Sequence, residues 1–297
     1  MAGVRHGIVI LPQEDWPAAA RRWRTADELG FDHAWTYDHL SWRSLADQRW
    51  HATIPTLTAA ATVTGRIGLG LFVASPNFRH PVPFAKELAT LDDISGGRLV
   101  VGVGSGGTGF DAYVLGQREL TPRQRHERFI EFVEALDVLL RFEPPGSGGI
   151  SFAGDWFTAH NARMVGTPSR QPRMPLVIAG NGPKTIRYAA TYGDGWVTTG
   201  GDETDREQWW AGVAAVARRF DDEYAASGRR NEVARVVSID TESLYSLSSV
   251  GAYEDAVSRA ESLGFTDVVA HWPRQDGPYA GDEAVLEDVA AMLGRSA

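Results

Sequence analysis

Residues 66–74 (RIGLGLFVA) are apolar almost without a break, and residues 98–104 (RLVVGVG) repeat the pattern. A strand with one wet face alternates polar and apolar side chains, whereas a strand covered on both faces has no need to. Strands of that kind belong to parallel sheets whose crossovers lay helices on the outside, so the two runs point to an α/β chain. The helices are legible between them. Trp16 to Leu29 has a helical period, Pro17 sits near its first turn, and Gly30 follows where a helix end tolerates positive φ. Further helices are expected over 54–64, 83–94, 121–141, 183–192, 203–226, 251–263 and 282–293. Thr121 serves the fourth of the eight as N-cap, with Pro122 at N1. Strands are expected at 4–11, just before Asp38-His39, at 66–74, 98–104, 176–179, 196–199, 233–240 and 266–271.

About eight strands alternating with helices define a (β/α)8 TIM barrel, with a doubly wound open sheet as the rival topology. One local pattern favours the barrel. Leu29-Gly30-Phe31-Asp32 between helix and strand recurs near the end as Leu263-Gly264-Phe265-Thr266-Asp267. No composition shift marks a boundary, so residues 1–297 read as a single domain. An irregular insertion is expected around residues 143–175. Its Pro- and Gly-rich start, 143–149, breaks the long helix, and a short hairpin is expected near Gly154.

Composition narrows the chemistry. With no cysteine, disulfides, thiolate metal sites and cysteine nucleophiles are excluded. Lys and Arg number 29 against 38 Asp and Glu, a net charge of -9, which argues against nucleic acid as a partner. No apolar run reaches the length of a membrane span and the N-terminus lacks a signal-like pattern, so a cytoplasmic protein off the membrane is expected. Ten Trp and twelve Phe, several of them in loops, favour a flat or apolar small-molecule substrate. A homodimer is the expected assembly.

Asp38 and His39 close a strand that follows a helix, the place where parallel α/β enzymes keep their chemistry. The alternative is that Asp38 caps the next segment and His39 is a half-buried structural histidine. Gly102, Gly104 and Gly107 satisfy G-x-G-x-x-G, but no helix begins at that turn, as a dinucleotide fingerprint requires. They read better as a floor. Gly104, Gly106 and Gly107 let a planar ring approach the backbone, unless the loop is simply unusual in φ/ψ. Gly180-Asn181-Gly182-Pro183-Lys184-Thr185 offers free N–H groups at a helix N-terminus, either an anion site or a plain helix start. No metal site is expected from the eight scattered histidines, and Ser105 lacks the spacing of a nucleophile elbow.

The ordered set of Tyr37-Asp38-His39, RIGLGLFVAS with Asn77-Phe78-Arg79-His80-Pro81, SGGRLVVGVGSGG and PLVIAGNGPKTIRYAATYGDGW resembles the luciferase-like monooxygenase superfamily. The Asp-His pair followed by Trp42 is most similar to the branch that uses coenzyme F420, with FMN the alternative cofactor. The resemblance implies an F420-dependent oxidoreductase moving a hydride between C5 of the deazaflavin and a small organic substrate. An FMN-dependent monooxygenase and a non-catalytic flavin-binding protein are the alternatives. His39 would exchange a proton or stabilise charge, Asp38 would orient it or hydrogen-bond the ring, and Trp42 would wall the substrate side. A non-prolyl cis peptide would fall at Phe72-Val73. Gly104, Ser105, Gly106 and Gly107, with Ala179, Gly180, Asn181 and Gly182, would hold the ring and tail. Where the branch's sugar-phosphate dehydrogenases carry a glutamate, this chain has Gly107, and the basic residue expected after Thr199 is absent. Oxidation of a sugar phosphate is therefore not expected. Arg43, Arg49, Arg79 and Lys184, in loops after strands, would supply positive charge for an acidic cofactor tail.

Overall fold

A computed structural model describes residues 3–296 apart from 108, 143–145 and 167, with only the backbone of 294–296. The strands are β1 (Arg5–Val9), β2 (His33–Thr36), β3 (Gly68–Ala74), β4 (Leu99–Gly104), β5 (Ile150–Ala153), β6 (Thr158–Ala162), β7 (Leu176–Ala179), β8 (Gly195–Thr198), β9 (Ala234–Ser238) and β10 (Asp267–His271). The helices are α1 (Trp16–Glu28), α2 (Thr53–Val63), α3 (Pro81–Ser95), α4 (Phe110–Val114), α5 (Pro122–Leu140), α6 (Pro183–Tyr192), α7 (Arg206–Ser227), α8 (Val250–Ser262) and α9 (Glu283–Ser296). Eight strands close into a barrel in the order β1-β2-β3-β4-β7-β8-β9-β10, every neighbouring pair parallel. This is the (β/α)8 architecture, not the open sheet.

Period-two alternation survives inside the apolar runs and sorts them into two cores. Ile8, Ala34, Leu69, Ile178, Val237 and Val268 face outward and pack against helix residues such as Trp23, Phe84, Phe129 and Trp209. Val9, Trp35, Phe72, Val177, Val197, Val236 and Val269 fill the barrel interior. Trp35 fits there because its neighbour Gly70 has no side chain: a Cβ at Gly70 would lie 2.0 Å from the indole.

The repeated Leu-Gly-Phe pattern does the same work twice. Gly30 and Gly264 turn the chain at positive φ, and Phe31 and Phe265 bury beneath the following strands. The expected cap of α5 is present as a full capping box between Thr121 and Gln124. Two helix starts differ from expectation. Asp205 caps α7 by accepting from the amide of Gln208, which leaves Glu203 in the preceding loop. The His80 ring accepts from the amide of Val82, so α3 begins at Pro81 instead of residue 83.

In the insertion, β5 and β6 form the antiparallel hairpin expected near Gly154. Glu131 of α5 holds its turn by accepting from the amides of Trp156 and Phe157. The long helix ends at Leu140, and the first three residues of the proposed 143–149 break lie outside the described residues. Among the described residues, no helix is long and apolar enough to cross a membrane.

Candidate active site

Loops at the C-terminal ends of the barrel strands surround a cavity of about 370 Å³. Phe72, Val73, Ala179 and Val197 make its apolar wall, and Asp202, Glu203 and Glu242 make an acidic rim above the buried Asp240. The Phe72–Val73 peptide is cis. His39, just after β2, lines the same cavity.

His39 is held from three sides. Its Nδ1 lies 2.7 Å from a carboxylate oxygen of Asp111, whose other oxygen accepts from the amide of Leu40 at 2.7 Å. The Trp42 ring lies 4.5 Å away, centroid to centroid. The indole of Trp50 donates to the His39 carbonyl at 2.9 Å. A carboxylate can only accept, so Asp111 places the proton on Nδ1. Nε2, with no partner among the described residues, is then free to accept a proton or, when charged, to give one.

Asp38 therefore does not orient His39. It is buried after β2 and takes a two-point grip from Arg79, at 3.1 Å from Nε and 2.6 Å from Nη2. Arg79 also reaches Glu87 at 3.1 Å and stacks on Phe78 and Phe84. The pair ties the loop after β2 to the loop after β3, and it withdraws Arg79 from the charge expected at the mouth. Trp42 stands where a substrate wall was expected, edge-on to Tyr37 and capped by the Arg43 guanidinium 4.6 Å above its ring.

Most of the glycine loop after β4 answers to protein packing. A Cβ at Gly104 would press on Val73 at 3.0 Å, and one at Gly106, where φ is +68°, would overlap the Asn77 amide. At Gly107, and at Gly109 further along the loop, nothing lies within 4 Å of where a Cβ would stand. The Ser105 hydroxyl has no partner among the described residues. After β7, Asn181 is an internal clamp: its amide donates to the Gly200 carbonyl and its oxygen accepts from Thr198 at 2.6 Å. Gly180 accepts from the Trp196 indole at 2.9 Å. Gly182, exposed and without a side-chain cap, opens α6 and leaves the first N–H groups of that helix available.

Two groups of residues were not foreseen. Asp111 sits on the five-residue α4, between Gly109 and Gly116 at positive φ, too short a helix for periodicity to reveal. Beneath the cavity, the Tyr37 hydroxyl lies 2.8 Å from Nε2 of His271, and Asp240 accepts from the His271 amide at 2.6 Å. The Tyr279 ring stacks on His271 at 3.8 Å. Burial raises the Tyr37 hydroxyl well above its ordinary range and pushes Tyr279 up to about 12, so both are neutral at ordinary pH. His271 ends its strand as His39 follows its own, which was a usable signal.

A parallel barrel with a histidine and an apolar wall at its C-terminal mouth defines an enzyme site of the TIM-barrel class. Residues 2–243 match the family model of the luciferase-like monooxygenases. The chain belongs to that family of oxidoreductases. Over 289 residues it is 30% identical to an F420-dependent hydroxymycolic acid dehydrogenase of Mycobacterium tuberculosis, covering 91% of this chain and 76% of the relative. It is 33% identical over 180 residues to an F420-dependent glucose-6-phosphate dehydrogenase of Amycolatopsis mediterranei, a match spanning 59% of this chain and only 51% of that relative. Among solved structures, an F420-dependent secondary alcohol dehydrogenase in complex with an F420-acetone adduct superposes with a TM-score of 0.78, at 17% identity over 97% of this chain and 98% of the other.

Proposed function

We propose that the protein is an F420-dependent oxidoreductase acting on a small, flat or apolar alcohol–carbonyl substrate pair. The observation that carries this reading is His39: its Nδ1 is fixed by a buried carboxylate and its ring faces a cavity with a flat apolar wall. The residues present fit F420. Phe72, Val73, Ala179 and Val197 offer a surface for a planar ring, and the uncapped start of α6 offers N–H groups to a phosphate. Bound F420 supplies the acceptor or donor of the hydride. His39 takes the hydroxyl proton of an alcohol undergoing oxidation, or gives that proton to the carbonyl oxygen in the reverse direction. Trp42 excludes water from one side of the imidazole. Names of relatives in both dehydrogenase groups support the cofactor assignment. FMN is the alternative at the level of the family. The acidic rim disfavours a sugar phosphate in this cavity.

The test is turnover of a panel of small secondary alcohols and their ketones, followed at the F420 chromophore. Activity is expected with at least one pair, and His39→Ala should lower kcat by about 10²–10⁴-fold with cofactor affinity little changed. Tight F420 binding with no turnover of any pair, or full activity in His39→Ala, would oppose the proposal.

A further inference from the structure

Beyond Trp42 and Arg43, which it shares with the first cavity, lies a second one of about 680 Å³. Gly107 and Tyr113 border it, and so do Arg118, Arg125 and Arg128. None of these three arginines has a carboxylate partner among the described residues. Arg125 donates to the Leu120 carbonyl at 2.8 Å, and Arg128 donates to the side-chain oxygens of Gln117 and Asn77. Arg128 is only 6% exposed, and its Nε is buried without any partner. Glu119 also lines the cavity but pairs with none of them.

A buried guanidinium without a counter-charge is costly, and two more cations beside it add repulsion. Burial, and then the charge of Arg125, hold Arg128 below its usual range. The chain has carboxylates to spare, at 38 Asp and Glu against 29 Lys and Arg, yet places no carboxylate partner on these three. Glutamine and asparagine oxygens neutralise nothing, so a negative charge arriving from outside would find three cations with no carboxylate paired to them.

We propose that this second cavity is an anion-binding subsite, in which Arg118 and Arg125 grip a carboxylate or phosphate group over the charge of Arg128. The ligand is a small carboxylate- or phosphate-bearing molecule. Trp42 and Arg43, common to both cavities, put such a group within one molecule's length of His39. The subsite does not depend on the identity of the cofactor.

Inorganic phosphate is the probe, titrated calorimetrically into the full chain at low salt. Saturable millimolar or tighter binding is expected, weakened about 10-fold or more in Arg118→Gln and Arg125→Gln and abolished in the double variant. Arg118 makes no hydrogen bond or ion pair with another described residue and Arg125 loses one hydrogen bond, so an unchanged thermal midpoint in Arg118→Gln separates loss of the site from loss of the fold. Arg123→Gln, an exposed cation on the same helix outside the cavity, should leave phosphate binding unchanged. Two further arms identify the source of the anion. If the double variant weakens F420 but not the deazaflavin that lacks phosphate and tail, the anion belongs to the cofactor. If both bind as before while phosphate still binds wild-type protein loaded with F420, it belongs to the other reactant. Either result supports the subsite. No saturable phosphate binding, or binding lost in Lys184→Gln and kept in the double arginine variant, overturns it.

Discussion

The two cavities that meet at Trp42 and Arg43 are opposite in charge. The first, of about 370 Å³, has an apolar wall under three rim carboxylates, with Asp240 buried below. The second, of about 680 Å³, has three arginines and a single glutamate, besides the shared Arg43. Strand ends build the first: β3, β7 and β8 bring Phe72, Val73, Ala179 and Val197 together. Loops and the first turns of α4 and α5 build the second. The barrel thus supplies a constant apolar seat, while the segments that it does not constrain decide the sign of the surrounding field. Charge on the molecule as a whole predicts neither. An acidic chain carries its cations where they face an opening.

The largest effect is expected behind the first cavity, at the pair that ties the loop after β2 to the loop after β3. Asp38→Ala takes the two-point carboxylate partner from Arg79, whose side chain is 15% exposed and keeps only the single contact to Glu87, and should destabilise the fold by about 3 kcal/mol in urea unfolding. Removing both partners, as Asp38→Ala with Arg79→Met, should recover much of that loss; no recovery would mean that Asp38 acts through something other than the pair.

Next comes Asp111→Asn. Without the carboxylate, the His39 tautomer is no longer fixed, and kcat should fall by about 10–10³-fold while F420 affinity holds. Inorganic phosphate binding should hold too. A parallel loss of phosphate binding would show that α4 couples the cavities instead of separating them.

A smaller effect is expected at Gly182. Its φ of −73° and the empty space around its Cβ position admit a side chain, and aspartate is a good N-cap. Gly182→Asp should raise the thermal midpoint slightly, yet weaken F420 by about 5–10-fold relative to the deazaflavin without phosphate. Equal weakening of both ligands would take the phosphate away from α6.

The smallest concerns the acidic rim. Asp202→Asn with Glu203→Gln should raise affinity for small anions at the first cavity by about 2–3-fold at low salt. The gain should vanish above about 0.5 M NaCl, where the screening length is only a few ångströms. A gain that survives high salt would point to a change of shape, not of field.

Much of the barrel was legible because its signals are repetitive. Apolar runs, helix caps at Thr121 and Gly30, and a duplicated Leu-Gly-Phe turn each state the same architecture independently. The strand-end position of His39 was legible, and it lines the first cavity; the cis peptide at Phe72–Val73 stands where the family resemblance implied it. It was not legible where contacts join distant loops. Asp111 lies 72 residues from His39, on a helix of five residues. Asp38 next to His39 in sequence points elsewhere, because consecutive residues leaving a strand diverge and the nearest buried cation is Arg79. Asn181, Gly104 and Gly106 were expected as ligand contacts; each also packs against or bonds protein neighbours, a demand set by tertiary contacts and invisible in spacing.

One titration bears most directly on the assignment of the first cavity. F420 and FMN are added separately to the purified protein, each at low and at high salt, with binding followed by fluorescence. Micromolar or tighter binding of F420, with FMN at least about tenfold weaker, is the expected result, with the F420 preference shrinking as salt rises through about 0.1 M. Tight binding of FMN and none of F420 at either salt concentration would contradict it and make the cavity that of an FMN-dependent monooxygenase.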